Sequence, residues 1–384
     1  MKTKVVVIFG SRSVEHEVSV VTAAQVFSSI DKGKYEVIPV YIDKEGRWWS
    51  GSKLADLNSF KNLQLKSGLA LRQYRLSGKW GEKKLMSIDG WPNKEIIFDI
   101  AFLAIHGTFG EDGTIQGMLE MLNIPYTGSG VTASAVGMDK VIQKALFEKE
   151  EIPVVGYIWF YRSEWEKSRK ELVEKVEREL GYPVFVKPAN LGSSVGINIA
   201  KNRKELEEAV SIAAEFDRKI LVEEGLLGID EINVSVMGNE KTEVSICEQP
   251  IKNEKLLSYE DKYLKGGKVK GMAGLSRLVP APISKKLSKK ISGMATRGFR
   301  AVGGGGLARI DFLVDIKEEK VFLNEINTLP GSLSFYLWEK SGYPFPKLID
   351  KLIELGMERW QLRQKIQFSF DSKLLQTSSG GSKA

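Results

Sequence analysis

Two carboxylates and an amide stand close together in one pair of candidate strands, Leu307–Asp315 and Val321–Asn327. If the turn between them centres on Glu318, Asp311 falls opposite Glu325 and Arg309 opposite Asn327. Strand side chains alternate faces, so these four share one face, and Ile310, Phe312, Val314, Phe322 and Ile326 take the other. Carboxylate and amide oxygens make a hard donor set suited to Mg2+. Two carboxylates this near repel unless a cation lies between them. Arg309 is placed to hold an anion that the metal also touches. A solvated strand face carrying a salt bridge is the alternative, and a slip of one residue would dissolve the site.

A second group is the loop Lys187-Pro-Ala-Asn-Leu-Gly-Ser-Ser-Val-Gly196, between two candidate strands. Its glycines and serines let backbone N–H groups approach a polyphosphate, and Lys187 adds a cation. It matches neither the Walker sequence nor the dinucleotide fingerprint, and an ordinary hairpin turn is the competing reading. A third group is His106-Gly-Thr-Phe-Gly-Glu-Asp-Gly113, after an apolar run. Ligands of open α/β sheets bind beyond the carboxyl ends of the strands. Glu17, early in the first candidate helix, faces that crevice in this reading and offers a carboxylate to a substrate ammonium. Helix N-terminal stabilisation of about 0.3–1 kcal/mol is its plainer role, and a structural role is the plainer one for His106.

Positioning these residues requires a particular frame. Lys4–Phe9 reads as a buried strand, a helix follows over Glu15–Ser29, and strands at Glu36–Ile42 and Asp99–Ile105 complete a parallel pattern. The expected class is α/β, opening with an N-terminal open parallel-sheet domain. Residues 1–128 form the first domain, with an insertion of a few short strands over about 43–98. Residues 129–223 form a central subdomain, 224–362 a C-terminal subdomain carrying the metal site, and 363–384 a flexible tail. Ser163-x-x-Glu166 and Asn202-x-x-Glu205 read as capping boxes that start helices of the central part.

Composition narrows the classes. The 384 residues carry a formal charge of +7. The lysines are dispersed, with no basic block interleaved with aromatics, so no nucleic-acid partner is expected. No apolar run approaches a membrane span. The single cysteine, Cys247, reads as buried and inert, and the chain is expected in the cytoplasm.

Ordered along the chain are Glu15-His-Glu-Val-Ser19, His106-Gly-x-x-Gly-Glu-Asp-Gly-x-x-Gln-Gly117, Pro125-Tyr-Thr-Gly-Ser-Gly130, Met138-Asp-Lys140, Val186-Lys-Pro188, Gly192-Ser-Ser-Val-Gly196, Lys262-Tyr263, Ala308-Arg-Ile-Asp311, Asn324-Glu-Ile-Asn-Thr328 and Pro330-Gly331. This series resembles the D-alanine–D-alanine ligases of the ATP-grasp superfamily over roughly residues 4–356. The resemblance implies ATP-dependent ligation of two D-alanines through an acylphosphate, giving a dipeptide for peptidoglycan. It implies an N-terminal open parallel-sheet domain plus a two-part ATP-grasp fold that clamps the nucleotide, ATP and two Mg2+ ions, with Mn2+ able to substitute, amino acids as the small-molecule partners, and a homodimer.

Residue by residue, it places Lys140, Lys187 and Lys262 on the ATP phosphates, and Asp311, Glu325 and Asn327 on the metal. Glu223, Glu224 and Leu226 read adenine, Glu231 takes the ribose, and Asn324 joins the nucleotide site. Glu17 holds the first substrate's ammonium and, with Ser193 and Tyr263, orders a cover that excludes water. Arg309 and the N–H of Gly331 stabilise the tetrahedral intermediate. His106 lies near the first substrate, and Ser334 binds the second. One departure stands out: the run Gly331-Ser-Leu-Ser-Phe-Tyr-Leu-Trp338 is shorter and more aromatic than the family pattern. An amino-acid ligase with another acceptor is therefore the alternative, and a non-catalytic ATP-binding regulator a third reading. The run Gly303–Gly306 has no account at this level.

Overall fold

The computed structural model describes residues 2–61, 71–88, 92, 94–193, 195–226, 228–251 and 276–372. Lys262 and Tyr263 lie outside the described residues. No helix among them is long and apolar enough to cross a membrane.

The first sheet has β1 (Thr3–Gly10) beside β2 (Tyr35–Ile42), in parallel. Strands β3 (Trp48–Ser50), β4 (Arg72–Leu76), β5 (Lys84–Ser87) and β6 (Glu95–Ile97) extend it outward, each antiparallel to the last. Strand β7 (Ile100–Ala104) pairs with β1 in parallel on the other side. The expected parallel sheet is thus parallel only over β2, β1 and β7, at one end of the sheet. The chain from β2 to β6 runs as successive hairpins, whereas a parallel neighbour needs a crossover. Val5 to Phe9 are almost wholly inaccessible, as befits a central strand covered on both faces. Helix Phe345–Gln364 returns to this sheet and buries Leu348, Ile349 and Leu352 in the same core as Ile100 and Phe102. Each such side chain contributes about 1.5–3 kcal/mol. A boundary drawn at 362 by chain order therefore does not follow the packing.

The second sheet has the order β10-β9-β11-β8, all antiparallel: β8 (Tyr157–Tyr161), β9 (Val184–Pro188), β10 (Asn198–Ala200) and β11 (Lys219–Glu224). Helices Arg162–Glu179 and Arg203–Phe216 close a core on it. Asn202 caps the second helix, accepting from the Glu205 N–H at 3.0 Å. The first helix starts earlier than Ser163 and Glu166 indicate. Tyr161 is its cap, and Glu164 accepts the Tyr161 N–H at 2.6 Å. Pairing of Tyr161 with Lys219 fixes the end of β8 and so the start of the helix.

The third sheet has the order β13-β12-β16-β17. Its strands are β12 (Asp230–Gly238), β13 (Thr242–Val244), β16 (Gly306–Asp315) and β17 (Lys320–Asn327), and a separate ribbon joins β14 (Gln249–Pro250) to β15 (Arg277–Leu278). Phe147 from helix Lys140–Lys149 and Leu287, Ile291 and Met294 from helix Lys285–Ala301 cover its apolar face. The glycine run ahead of β16 has a steric cause. A side chain at Gly304 would meet Phe299 at 2.6 Å, and one at Gly306 would meet the Gly128 backbone at 2.8 Å. The N-terminal domain and this sheet touch there backbone to backbone.

Candidate active site

Asp311 faces Glu325 and Arg309 faces Asn327, the register that the turn centre predicts. One residue further the register shifts, so that Phe312 faces Leu323 and Asn324 is the extra residue of a bulge. The bulge changes the parity of the rest of β17. Val321 and Leu323 are buried in the core, and Phe322, expected there, instead lies opposite Leu313.

Arg309 grips Asp311 with two bonds, Nε to Oδ1 and Nη2 to Oδ2, each 2.7 Å. Asn327 Nδ2 donates to Asp311 Oδ2 at 3.2 Å. Burial, together with the charges of Glu325 and Glu231, pushes the Asp311 carboxyl up to about 6 even with Arg309 beside it. Carboxylates crowded until one holds its proton are what a divalent cation relieves. The set is two carboxylates and an amide; among the described residues no group of three His, Cys, Asp or Glu is arranged for a metal. These oxygen donors fit Mg2+.

Lys140 links this face to the loop after β9. Asp139 caps its helix, accepting from the Val141 and Ile142 N–H groups. Lys140 Nζ donates to the Leu191 carbonyl at 2.7 Å and lies 3.5 Å from Glu325 Oε2. Lys187 and Glu223 share a face of the second sheet, since Lys187 lies opposite Leu221, two residues before Glu223. They form an ion pair. Lys144 Nζ, from one turn after Lys140, sits 2.7 Å from the other Glu223 oxygen. Burial opposes ionisation of Glu223, yet the two lysines hold its carboxyl down at about 2. Burial lowers Lys144; it opposes Lys187 as well, but the charge and hydrogen bond of Glu223 with the charges of Glu325 and Glu231 together raise Lys187. Glu224 is exposed and its N–H donates to Gly156 O at 2.9 Å. Leu226 and Asn324 are half-buried, and Asn233 Nδ2 reaches Glu231 Oε1 at 3.3 Å.

The first-helix carboxylate is corrected. Glu17 is 61% exposed and pairs with Lys44 at 2.6 Å, turned away from the crevice. Glu15 is buried, and Ser193 Oγ of the phosphate loop donates to its Oε1. Two residues on a helix differ by about 200°, so only one of this pair can face inward. Two glycines make the room: a methyl group at Gly107 would come to 2.8 Å from Glu15 Oε2, and one at Gly192 to 2.9 Å.

His106 is buried among fixed partners. Its Nδ1 lies 2.9 Å from Leu329 O, which can only accept, so Nδ1 carries the proton. Nε2 then accepts from Thr22 Oγ1 at 2.8 Å, and Thr22 in turn accepts the Ser332 N–H at 3.1 Å. Glu111, 3.0 Å from Nδ1, is pushed up to about 7 by burial and by the charge of Glu15, against the pull of His106. Gly331 opens a short turn in which Ser332, Leu333 and Ser334 all have positive φ. The hydroxyls of Ser332 and Ser334 are buried and meet no hydrogen-bond partner among the described residues. Beyond them Tyr336 Oη donates to Glu248 Oε1 at 3.2 Å, Arg277 stacks 3.6 Å over the Tyr336 ring, and Arg277 Nη1 donates to Glu248 Oε2 at 2.6 Å.

The fold thus gathers Lys140, Lys187, Glu223, Glu231, Arg309, Asp311, Glu325 and Asn327 around one crevice, and ties Ser193 to Glu15 and His106 to the Ser332 turn. Glu15, Lys144 and Glu111 escaped the sequence reading. Glu15 and Glu111 each left a signal, Glu15 as the twin of Glu17 and Glu111 inside the motif that begins at His106.

Comparisons accord with this arrangement. A family model described as the D-ala D-ala ligase N-terminus matches residues 4–129, and one described as the D-ala D-ala ligase C-terminus matches residues 146–354. A D-alanine–D-alanine ligase of Bacillus cytotoxicus is 40% identical over 374 residues, covering 96% of this chain and 99% of that protein. The solved D-alanine–D-alanine ligase of Coxiella burnetii superposes with a TM-score of 0.79 at 30% identity, covering 95% of this chain and 98% of that one. The VanG D-Ala:D-Ser ligase of Enterococcus faecalis gives 0.78 at 30% identity, covering 93% and 100%.

Proposed function

This chain belongs to the D-alanine–D-alanine ligase family and is an ATP-dependent ligase, and from that premise we propose how its own residues divide the joining of two D-alanines for peptidoglycan. A carboxylate is a poor electrophile, because its oxygen leaves badly. Transfer of the ATP γ-phosphoryl group to the first D-alanine supplies a leaving group; the second amine attacks the acyl carbon, loses a proton, and phosphate departs. Phosphoryl transfer asks for positioning and neutralised charge.

Lys140, Lys187 and Lys262 meet the phosphates. Asp311, Glu325 and Asn327 hold two Mg2+ ions, for which Mn2+ can substitute. Bound there, the metal neutralises the charge gathering on the phosphate oxygens. Glu223, Glu224 and Leu226 read adenine, Glu231 the ribose, and Asn324 borders the nucleotide. Glu15, in place of Glu17, takes the first substrate's ammonium, and its bond to Ser193 ties the phosphate loop over it; Tyr263 completes that cover. Arg309 and the Gly331 N–H face the oxyanion. His106, its Nδ1 proton pointed at Leu329, orients the Ser332 turn through Thr22. Ser334 is the acceptor's hydroxyl contact. We place the enzyme in the cytoplasm as a homodimer with small-molecule partners.

The observation that carries the reading is Lys140. One ammonium touches the loop carbonyl of Leu191 and stands 3.5 Å from Glu325. It joins the phosphate cradle to the metal face in one electrostatic unit. The test is phosphate release with ATP, Mg2+ and D-alanine alone, with the dipeptide identified by mass. Release only with a second, different amine favours the alternative acceptor, which the altered Ser332–Trp338 segment motivates. Nucleotide binding without turnover on any amino acid would favour the regulator instead.

A further inference from the structure

Lys144 is a lysine that the proposed reaction does not use, yet its side chain is only 1% exposed. A buried ammonium is costly unless it is paired. Its partner, Glu223, is 3% exposed at the side chain and already has Lys187. The two cations differ in kind. Lys187 sits at the mouth of the phosphate loop, 12% exposed, and is the one that a triphosphate draws away. Lys144 comes from the helix Lys140–Lys149, and its ammonium sits against Glu223 and 5.6 Å over the Tyr157 ring. Although Lys144 Nζ and Glu223 Oε1 are 2.7 Å apart, neither atom completes a hydrogen bond among the described residues. The contact is a short ion pair to a buried carboxylate oxygen.

We propose that Lys144 is a positioning residue that fixes the choice of nucleotide base, by keeping Glu223 an ionised acceptor after Lys187 has moved to the phosphates. The inference rests on Glu223 being the adenine reader. A purine amine can donate to a carboxylate, whereas a 6-oxo purine presents an acceptor there. With no cation beside it a buried carboxylate takes up a proton, becomes a donor, and accommodates the oxo base. Lys144 removes that option.

Calorimetric titration of the full-length protein with ADP and with IDP, in Mg2+, tests this without reference to turnover. The wild type is expected to prefer ADP. In Lys144→Met the ADP-to-IDP preference should shrink about tenfold or more, the worth of one charged hydrogen bond, and Lys144→Arg should restore most of it. A ratio in Lys144→Met within about twofold of wild type, far less than one charged hydrogen bond, overturns the proposal. Should the Met variant fail to melt cooperatively, Lys144→Gln carries the same comparison. Glu223→Gln separates the two layers. If it leaves the preference intact, Glu223 is not the adenine reader and both ideas fall. If it abolishes the preference while Lys144→Met does not, only the role of Lys144 falls.

Discussion

The phosphate end and the acceptor end of this crevice are built in opposite ways. At the phosphate end every buried charge has a counter-charge in place: Lys140 with Glu325, Lys187 and Lys144 with Glu223, Arg309 with Asp311. The residues that carry those charges sit in strand or helix, and in the loop between them one described non-glycine residue, Ser193, has left-handed φ. At the acceptor end three successive non-glycine residues, Ser332 to Ser334, hold left-handed φ, and two buried hydroxyls have no partner among the described residues. Left-handed backbone costs roughly 1–2 kcal/mol per residue. The difference teaches where each part of the reaction draws its specificity. The first end holds its charges in internal ion pairs, which in the proposed reaction it exchanges for nucleotide and metal. The second holds left-handed backbone and unpaired hydroxyls, which in the proposed reaction the acceptor would meet.

The sharpest way to break this contrast is at the metal face. Glu325→Ala removes a carboxylate that meets both Lys140 and the crowded Asp311. The turnover number should fall by about a hundredfold or more, roughly 2.7 kcal/mol of barrier, read as phosphate release under saturating ATP. Retention of a tenth of the activity would remove Glu325 from the metal's ligands. Next in size is the pair at the first helix. Glu15→Ala should cost about ten- to a hundredfold in kcat/KM for the first amino acid, the worth of a charged hydrogen bond. Glu17→Ala, which breaks only the exposed pair with Lys44, should stay within about twofold, since such pairs contribute little. Equal losses in the two variants would mean that the turn of the helix does not decide the assignment.

That pair also shows what was legible beforehand. Strand alternation and turn symmetry suffice to put Asp311 opposite Glu325, because one face of the sheet is core and a slip would bury charge. The bulge at Asn324 was hidden, since one extra residue changes parity without altering composition. In Glu15-His-Glu17 both acids sit two residues apart at a helix entry, and only the path of the Ser11–Ser13 turn sets which one faces inward. Lys144 reads as a surface lysine in an amphipathic helix; packing of that helix over β11 is what buries it. The left-handed turn at Ser332 has no glycine to announce it.

A third test concerns the counter-charges themselves. Glu223, held at about 2 against an ordinary 4.5, is a group whose folded value is depressed. Its contribution to stability is full above about pH 4.5 and fades as pH falls through that value toward 2. Denaturation of Glu223→Gln across this window should show a flatter loss of stability than the wild type. A wild-type acid limb of the same slope as the variant's would mean that the buried lysines do not stabilise the carboxylate.

The smallest effect is expected at Ser334, and its smallness is the point. A buried hydroxyl with no partner contributes nothing favourable to the free protein, so Ser334→Ala should leave the melting temperature unchanged or slightly raised. Were the hydroxyl only a packing element, kinetics would be unchanged as well. If it waits for the acceptor, KM for the second amino acid should rise about fivefold to tenfold, one ordinary hydrogen bond, while KM for ATP stays put. A drop in melting temperature would show that Ser334 already has a partner in the free protein, and the two ends of the crevice would then be built alike.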